Sequence, residues 1–136
     1  MATQHSILIV DDEFGLAEML RDMLRELDYD VTLAINGRLA LDILGEKQVD
    51  LVITDMMMPV MDGFELATAM RESRAHRRIP IVMMTSLPTP TAPHANGLYD
   101  AVIRKPFTPE LLLTTMQSCF AKSSNPTADR RDPTSP

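Results

Sequence analysis

Short apolar segments alternate along this chain with longer segments in which apolar residues recur every three or four positions. Residues 7–10, 51–54 and 80–85 are nearly continuous apolar runs, which is typical of strands buried on both faces. Val31, Leu33 and Ile35 alternate with polar residues and predict a strand with one wetter face, towards the edge of a sheet. Residues 101–104 predict a last short strand.

Helical spacing follows each of the first three strands and the last one. The first helix has a single apolar stripe, formed by Leu16, Met19, Leu20, Met23, Leu24 and Leu27. A shorter helix follows the Asn36-Gly37 turn, and a third runs from residue 62 or 63 to about residue 75. The last helix has Thr108 as N-cap and Pro109 at its first position. Its predicted inward residues are Leu112, Leu113, Met116, Cys119 and Phe120.

This alternation predicts a three-layer α/β sandwich with a parallel sheet and right-handed crossovers. One segment does not fit the alternation. Residues 86–98 occupy the place of a fourth helix but contain Pro88, Pro90 and Pro93. Because an interior proline costs a helix about 3 kcal/mol, we predict an irregular proline-rich segment to about Pro93 and at most one helical turn after it.

Composition limits the function classes. The chain has 136 residues, 45% of them hydrophobic, which suffices for one domain, predicted at residues 5–121. Residues 122–136, rich in proline, serine and threonine, are predicted to be a disordered C-terminal tail. No apolar run is long enough to span a bilayer, the N-terminus lacks a signal core, and there is one cysteine, so we expect a soluble, cytoplasmic protein.

The net charge of −6 argues against direct binding to nucleic acid or to anionic membranes. A basic cluster is the exception, and we interpret it as a solvated helix end, where cations favour the dipole. Its members are Arg71, Arg74, Arg77 and Arg78.

Polar residues follow four of the predicted strands: Asp11-Asp12, Asp55, Thr85 and Lys105. An isolated aspartate at a strand end most often caps a turn. Here, however, the carboxyl ends of parallel strands meet at one edge, where carboxylates about 5 Å apart repel by about 3 kcal/mol per pair. A Mg²⁺ ion would remove that repulsion. Together with a lysine and a hydroxyl, it would form a pocket for a phosphoryl group carried by Asp55.

These residues, with the Met58–Gly63 segment MPVMDG and the Lys105-Pro106-Phe107 triplet, resemble the receiver domain of bacterial two-component response regulators. The resemblance covers about residues 5–121. It implies a flavodoxin-like sheet of strand order 2-1-3-4-5 and a cis Lys105-Pro106 bond.

The resemblance also implies roles for residues. Asp55 would be the phosphoacceptor. Asp12, Asp55 and the backbone carbonyl of Met57 would bind Mg²⁺, with Asp11 acting mainly through a water ligand. Lys105 would pair with the phosphoryl oxygens, and Thr85 would move to hydrogen-bond them.

The implied function is a phosphorelay switch and not a turnover enzyme: it would catalyse only its own phosphotransfer and dephosphorylation. A histidine kinase or a phosphotransfer protein would donate to Asp55. The new charge would draw in Thr85 and the following loop, and an unknown downstream protein would read the change. We expect a stand-alone receiver, because no DNA-binding or catalytic output domain follows residue 122, although the chain could equally be one domain of a longer protein.

Three features depart from the family pattern. Val102 occupies the position where many members have an aromatic residue that reports the switch, and Tyr99 is interpreted as a surface aromatic. The prolines alter the face through which members often dimerise, so we expect a monomer or a weak dimer. Met57 and Leu87 are apolar and cannot position an attacking water, which predicts slow dephosphorylation.

Two other functions remain open from the residues. An adaptor would keep the fold but signal by binding alone, which an intact Asp12, Asp55, Thr85 and Lys105 set argues against. A phosphatase with an aspartyl nucleophile would need an acid–base aspartate at position 57, where this chain has methionine. Met56 and Met57 are expected to be the most exposed of the eleven methionines.

Overall fold

The computed structural model describes residues 4–86 and 97–123. Five strands form one parallel sheet of order β2-β1-β3-β4-β5. They are β1 (Ser6–Val10), β2 (Asp30–Ala34), β3 (Leu51–Asp55), β4 (Ile81–Thr85) and β5 (Ala101–Arg104). The predicted flavodoxin-like sheet, its strand order and the edge position of β2 are therefore confirmed.

Helices cover both faces of the sheet. In the described residues they are α1 (Phe14–Glu26), α2 (Gly37–Glu46), α3 (Gly63–Arg71) and α4 (Pro109–Ser123). Because side chains alternate along a strand, Ile7 and Ile9 pack with α1 and α4, whereas Leu8 and Val10 pack with α2 and α3. The central strands β1, β3 and β4 are almost entirely buried, as expected for strands covered on both faces.

Helix α1 does not bury its whole apolar stripe. Leu20 and Leu24 are buried, but Met19 is 63% and Leu27 is 48% exposed, and Ala17 is buried in their place. The prediction of one inward stripe is therefore wrong for Met19 and Leu27. The inward face is therefore shifted towards Ala17 relative to the stripe that the apolar spacing indicated.

Helix α3 ends at Arg71, four residues before the predicted end, and Arg71 explains why. Its side chain, 12% exposed, turns back and donates to the Asp100 carboxylate at 3.2 Å. It also donates to four backbone carbonyl oxygens, those of Arg77, Ile79, Gly97 and Leu98. The interpretation of the basic cluster as a solvated helix end is therefore wrong for Arg71, which joins the end of α3 to the segments before β4 and β5.

Two predictions fall mainly outside the described residues. The irregular proline-rich segment concerns residues 87–96, and the disordered tail concerns residues 124–136. The predicted cis bond between Lys105 and Pro106 is confirmed. Among the described residues, every helix is too short or too polar to cross a bilayer.

Candidate functional site

The sheet topology brings the predicted site residues to one edge. Asp11 follows β1, Asp55 ends β3, Thr85 ends β4 and Lys105 follows β5. Strands β1, β3, β4 and β5 are consecutive in the sheet, so their carboxyl ends form one continuous rim. The rim is the place where open α/β sheets bind ligands.

The charged side chains converge there on Lys105. Its Nζ atom lies 3.3 Å from Oδ2 of Asp11 and 3.3 Å from Oδ2 of Asp55. The carboxylate oxygens of Asp11, Asp12 and Asp55 lie within 4.8 Å of one another. Asp11 is fully buried, the Asp55 side chain is 14% exposed and Asp12 is exposed. One ammonium group thus faces three carboxylates, which leaves an excess of negative charge in a recess.

Burial raises the pKa of Asp55, and repulsion from Asp11 adds to this, so that together they outweigh the lowering by Lys105 and by the backbone N–H of Met57. For Lys105, burial acts to lower the pKa, but attraction to Asp11 and Asp55 outweighs it and raises the pKa. Lys105 is therefore a stable cation at neutral pH. Ionised Asp55 is held in an environment that opposes its charge.

The carboxylate group fits a hard divalent cation. Its three members supply oxygen ligands, which Mg²⁺ prefers, and exposed Asp12 leaves the group open to water, which Mg²⁺ retains. A divalent cation would also neutralise the negative charge that remains when one lysine is paired with the carboxylates. The acidic cluster could therefore bind a metal ion.

The raised pKa of Asp55 predicts a pH-dependent stability effect. Without Mg²⁺, Asp55→Asn should increase the free energy of unfolding at pH 7, because asparagine does not carry the disfavoured charge. The native state holds the Asp55 proton more tightly than the unfolded state, whose pKa is near 3.8. The stability that this proton contributes is complete below that value and is lost as the pH rises through the native pKa. The gain in stability of Asp55→Asn over the wild type should therefore disappear as the pH falls below 3.8.

Chemical denaturation across this pH range measures the effect, with Asp42→Asn, an exposed α2 aspartate, as matched control. Adding Mg²⁺ at ten times its dissociation constant should stabilise the wild type by about 1.4 kcal/mol. It should stabilise Asp55→Asn less. A destabilised Asp55→Asn variant at pH 7 would contradict the prediction.

The loop after Asp55 is fixed by close backbone approaches. The N–H of Gly63 donates to the carbonyl oxygen of Met56 at 3.0 Å, and a Cβ at Gly63 would collide with the carbonyl oxygen of Asp55. Asp62 and Glu65 then form a reciprocal capping box that starts α3. The glycine in the MPVMDG segment therefore lets α3 begin directly against the strand that carries Asp55.

The same loop is joined to α2. The N–H of Gly37 donates to the carbonyl oxygen of Met61 at 3.1 Å, and a Cβ on Gly37 would lie 2.7 Å from Cγ of Met61. The Asn36-Gly37 pair thus serves two purposes, since Asn36 also caps α2 by accepting from the N–H of Leu39 at 2.9 Å.

Thr85 lies at the end of β4 with 2% of its surface exposed. Its carbonyl oxygen accepts from the N–H of Lys105 at 2.7 Å, so the two predicted site residues are neighbours across the β4–β5 pair. The structure therefore brings Thr85 to the same rim as Asp55 and Lys105.

Two exposure predictions near the site need correction. Met56 is 4% exposed, since its side chain enters the core beneath α3, whereas Met57 is 67% exposed as expected. Tyr99 is a core residue and not a surface aromatic: it is 6% exposed and its ring lies 6.3 Å from that of Phe64. Val102 packs beside the same core cluster.

One residue near the site was missed from the sequence. Oε1 of Glu13 lies 3.8 Å from Nζ of Lys105, and the N–H of Glu13 donates to Oδ1 of Asp11 at 2.8 Å. The continuation of the Asp11-Asp12 pair by a third acidic residue was the available signal. Glu13 places a further, exposed carboxylate at the entrance to the recess.

Comparisons with known proteins agree with this geometry. The family model described as "Response regulator receiver domain" matches residues 7–117. The protein named "Probable transcriptional regulator ycf27" of Cyanidium caldarium is 39% identical over 122 residues, which are 88% of this chain and 47% of that protein. The chain spans about half the length of the curated relatives that it matches.

Solved structures show the same relationship over whole chains. The chemotaxis response regulator CheY4 of Vibrio cholerae superimposes with a TM-score of 0.80 at 34% identity, over 86% of this chain and 99% of that one. The response regulator TrrA of Thermotoga maritima, solved in complex with Mg²⁺ and BeF, gives a TM-score of 0.77 at 28% identity, over 85% and 99% of the two chains.

Proposed function

The chain belongs to the response regulator receiver domain family, whose members act in phosphoacceptor signalling of two-component systems, and we propose that Asp55 is its phosphoacceptor. One observation supports this assignment above the others. Asp55 is the only carboxylate of the Asp11, Asp12 and Asp55 group that ends a central strand, is partly exposed in a recess and touches Lys105.

In the proposed reaction, an Asp55 carboxylate oxygen attacks the phosphorus of a phosphohistidine on a donor protein. The O–P bond to Asp55 forms as the N–P bond breaks, and the leaving imidazole nitrogen keeps the electron pair. The Lys105 ammonium, 3.3 Å from Asp55, pairs with the phosphoryl oxygens as they arrive. Lys105 is suited to this because its pKa is raised, so that it stays charged.

The proposed metal ligands are Asp12, Asp55 and the backbone carbonyl of Met57, with Asp11 acting mainly through a water. Mg²⁺ held there would neutralise charge on the transferring phosphoryl oxygens. Asp11 also has a second task, since it is fully buried and in contact with Lys105. It would hold the lysine in the recess while Asp55 exchanges its partner.

Phosphorylation would act on partners through Thr85. The Thr85 hydroxyl would move to hydrogen-bond the phosphoryl group, together with the loop that follows β4, and a downstream protein would distinguish the two states. The chain would catalyse only its own phosphotransfer and dephosphorylation and would not turn over a separate substrate. The donor would be a histidine kinase or a phosphotransfer protein in the cytoplasm.

The assignment is tested by treating the chain with phosphoramidate, a small phosphodonor, with and without Mg²⁺. We expect an acyl phosphate that forms only with Mg²⁺ and maps to Asp55 after borohydride reduction and peptide sequencing. Label on another carboxylate would refute the assignment of Asp55, and no label at all would refute phosphotransfer and favour the binding-only adaptor.

Met57 gives a prediction about the lifetime of the phosphorylated state. The residue is 67% exposed beside Asp55, and its apolar side chain cannot orient an attacking water. Met57→Asn supplies a hydrogen bond of about 0.5–1.5 kcal/mol, so dephosphorylation should quicken by about two- to tenfold.

Decay of the phosphorylated chain after removal of phosphoramidate measures the lifetime, and Met57→Leu serves as the apolar control. Equal lifetimes of the Asn and Leu variants would contradict the prediction. The second apolar residue expected at this entrance, Leu87, lies outside the described residues.

A further inference from the structure

Val60 has a backbone conformation that its side chain disfavours. Its φ angle is +72°, in the left-handed region that glycine and asparagine adopt readily and β-branched residues rarely do. The N–H of Met61 donates to the carbonyl oxygen of Pro59 at 2.7 Å, which closes a γ-turn centred on Val60. This form of the γ-turn is rare and strained.

The turn itself is required by the fold. Met61 on its C-terminal side accepts from the N–H of Gly37, and Asp62 next to it caps α3. Asp55 and Met56, before the loop, are held in the sheet and against Gly63. The backbone at position 60 therefore must turn, but nothing in these contacts requires a valine, since glycine or asparagine would turn with less strain.

The Val60 side chain also contributes little to the core. It is 78% exposed, the highest value for any large apolar side chain in residues 4–86 and 97–123, and Met57 follows at 67%. Both residues lie on the loop that follows Asp55, whose own side chain is 14% exposed. The acceptor thus lies in a recess, and the two most exposed apolar side chains of the described residues belong to the loop that follows it in the chain.

We propose that Val60 is a specificity-determining contact for the protein that donates the phosphoryl group. The inference rests on the proposed phosphotransfer to Asp55 and names a contact that this transfer uses. A protein donor must lower its phosphohistidine into the recess, so the surface around that histidine comes against the loop. An apolar donor surface would cover Val60 and remove its exposed area from water. The favourable free energy of that burial would offset the cost of the strained turn.

Protein donors and small-molecule donors should differ in how their phosphotransfer rates depend on residue 60. Phosphoramidate is small enough to reach Asp55 without contacting the Val60 side chain, so its reaction should not depend on the residue at position 60. A histidine kinase should depend on it through affinity, because an interface contact changes binding of the donor more than the chemical step.

The test uses the full chain with phosphoramidate and with autophosphorylated histidine kinases of the source organism, the fastest donor being kept. Val60→Asn fits the left-handed turn but is polar, and Val60→Ile keeps an apolar β-branched side chain. The matched control is Leu27→Asn. Leu27 is 48% exposed and directly follows α1, at the end of that helix away from Asp55.

For Val60→Asn we expect kcat/KM of kinase transfer to fall about tenfold, mainly through KM, with the phosphoramidate rate unchanged. Val60→Ile and Leu27→Asn should transfer at the wild-type rate. Val60→Asn should also melt about 3 °C or more above the wild type, because the strain is relieved.

An unchanged rate of kinase transfer to Val60→Asn would overturn the inference. An equal loss of rate with the kinase and with phosphoramidate would also overturn it, and so would a melting temperature at or below that of the wild type. Labelling by phosphoramidate but by no kinase would overturn it as well. If phosphoramidate fails to label Asp55 in the wild type, the proposed function itself fails, which distinguishes the two.

Discussion

Asp55→Asn should reduce phosphorylation of the chain by at least about 10³-fold, with phosphoramidate and with a kinase alike. Asparagine keeps the size and the hydrogen-bonding oxygen of the side chain but cannot form the acyl phosphate. Neither of the other two members of the acidic cluster is placed to substitute for it. Asp11 is fully buried against Lys105, and Asp12 precedes the first helix on an exposed position.

The measurement is incorporation of phosphate at saturating Mg²⁺, followed by intact mass. Asp42→Asn removes the same charge from an exposed face of α2 and should be phosphorylated at the wild-type rate. A circular dichroism spectrum of Asp55→Asn recorded under the same conditions shows whether it is folded, so that unfolding can be separated from loss of the acceptor. Substantial phosphorylation of Asp55→Asn would show that the acceptor is another residue.

Arg71→Met should lower the free energy of unfolding by about 3 kcal/mol or more, although the residue lies at the far end of α3 from the site. Methionine fills similar volume but donates no hydrogen bonds. Four backbone carbonyl oxygens would lose a donor, and the Asp100 carboxylate, 19% exposed, would lose the Arg71 cation that lies 3.2 Å away. The N–H of Ile81, which donates to Asp100 at 2.8 Å, would be unaffected.

Urea denaturation followed by circular dichroism measures this loss, and Arg38→Met, at an exposed position of α2, is the control. Arg71→Lys should recover only part of the stability, because an ammonium group lacks the planar fork that reaches several acceptors at once. A loss below about 1 kcal/mol, the range of surface ion pairs, would contradict a buried structural role for Arg71.

The exposed fractions of side chains in α1 and of Tyr99 show where sequence patterns no longer predict burial. Apolar spacing places Met19 on the predicted stripe of α1 and leaves Ala17 off it, yet Ala17 is buried and Met19 is 63% exposed. Likewise Tyr99 lies two residues after Gly97 and directly before Asp100, which is typical of a surface loop. Its ring is nevertheless buried against Phe64, because Arg71 and Asp100 hold the segment before β5 close to α3.

The site illustrates the opposite case. The identity of Asp11, Asp12, Asp55, Thr85 and Lys105 as neighbours could be predicted, since parallel strands in this order end at one rim. Their individual environments could not be predicted. Burial of Asp11 and the position of Glu13 near Lys105 depend on side-chain packing around the β1–α1 turn, which strand-end patterns do not encode.

The sequence by itself determined the alternation of strands and helices, the strand order through the family resemblance, and the set of charged residues at the rim. The alternation and the charged set follow from periodicity and from residues near each other in the chain, so local patterns are sufficient to predict them, whereas the strand order was implied only by the resemblance. Only the tertiary structure decided which apolar residues are buried, that Arg71 binds three segments together, and that Val60 stands exposed in a strained turn beside the acceptor. Those depend on contacts between residues far apart in the chain, for which no single segment carries a signal.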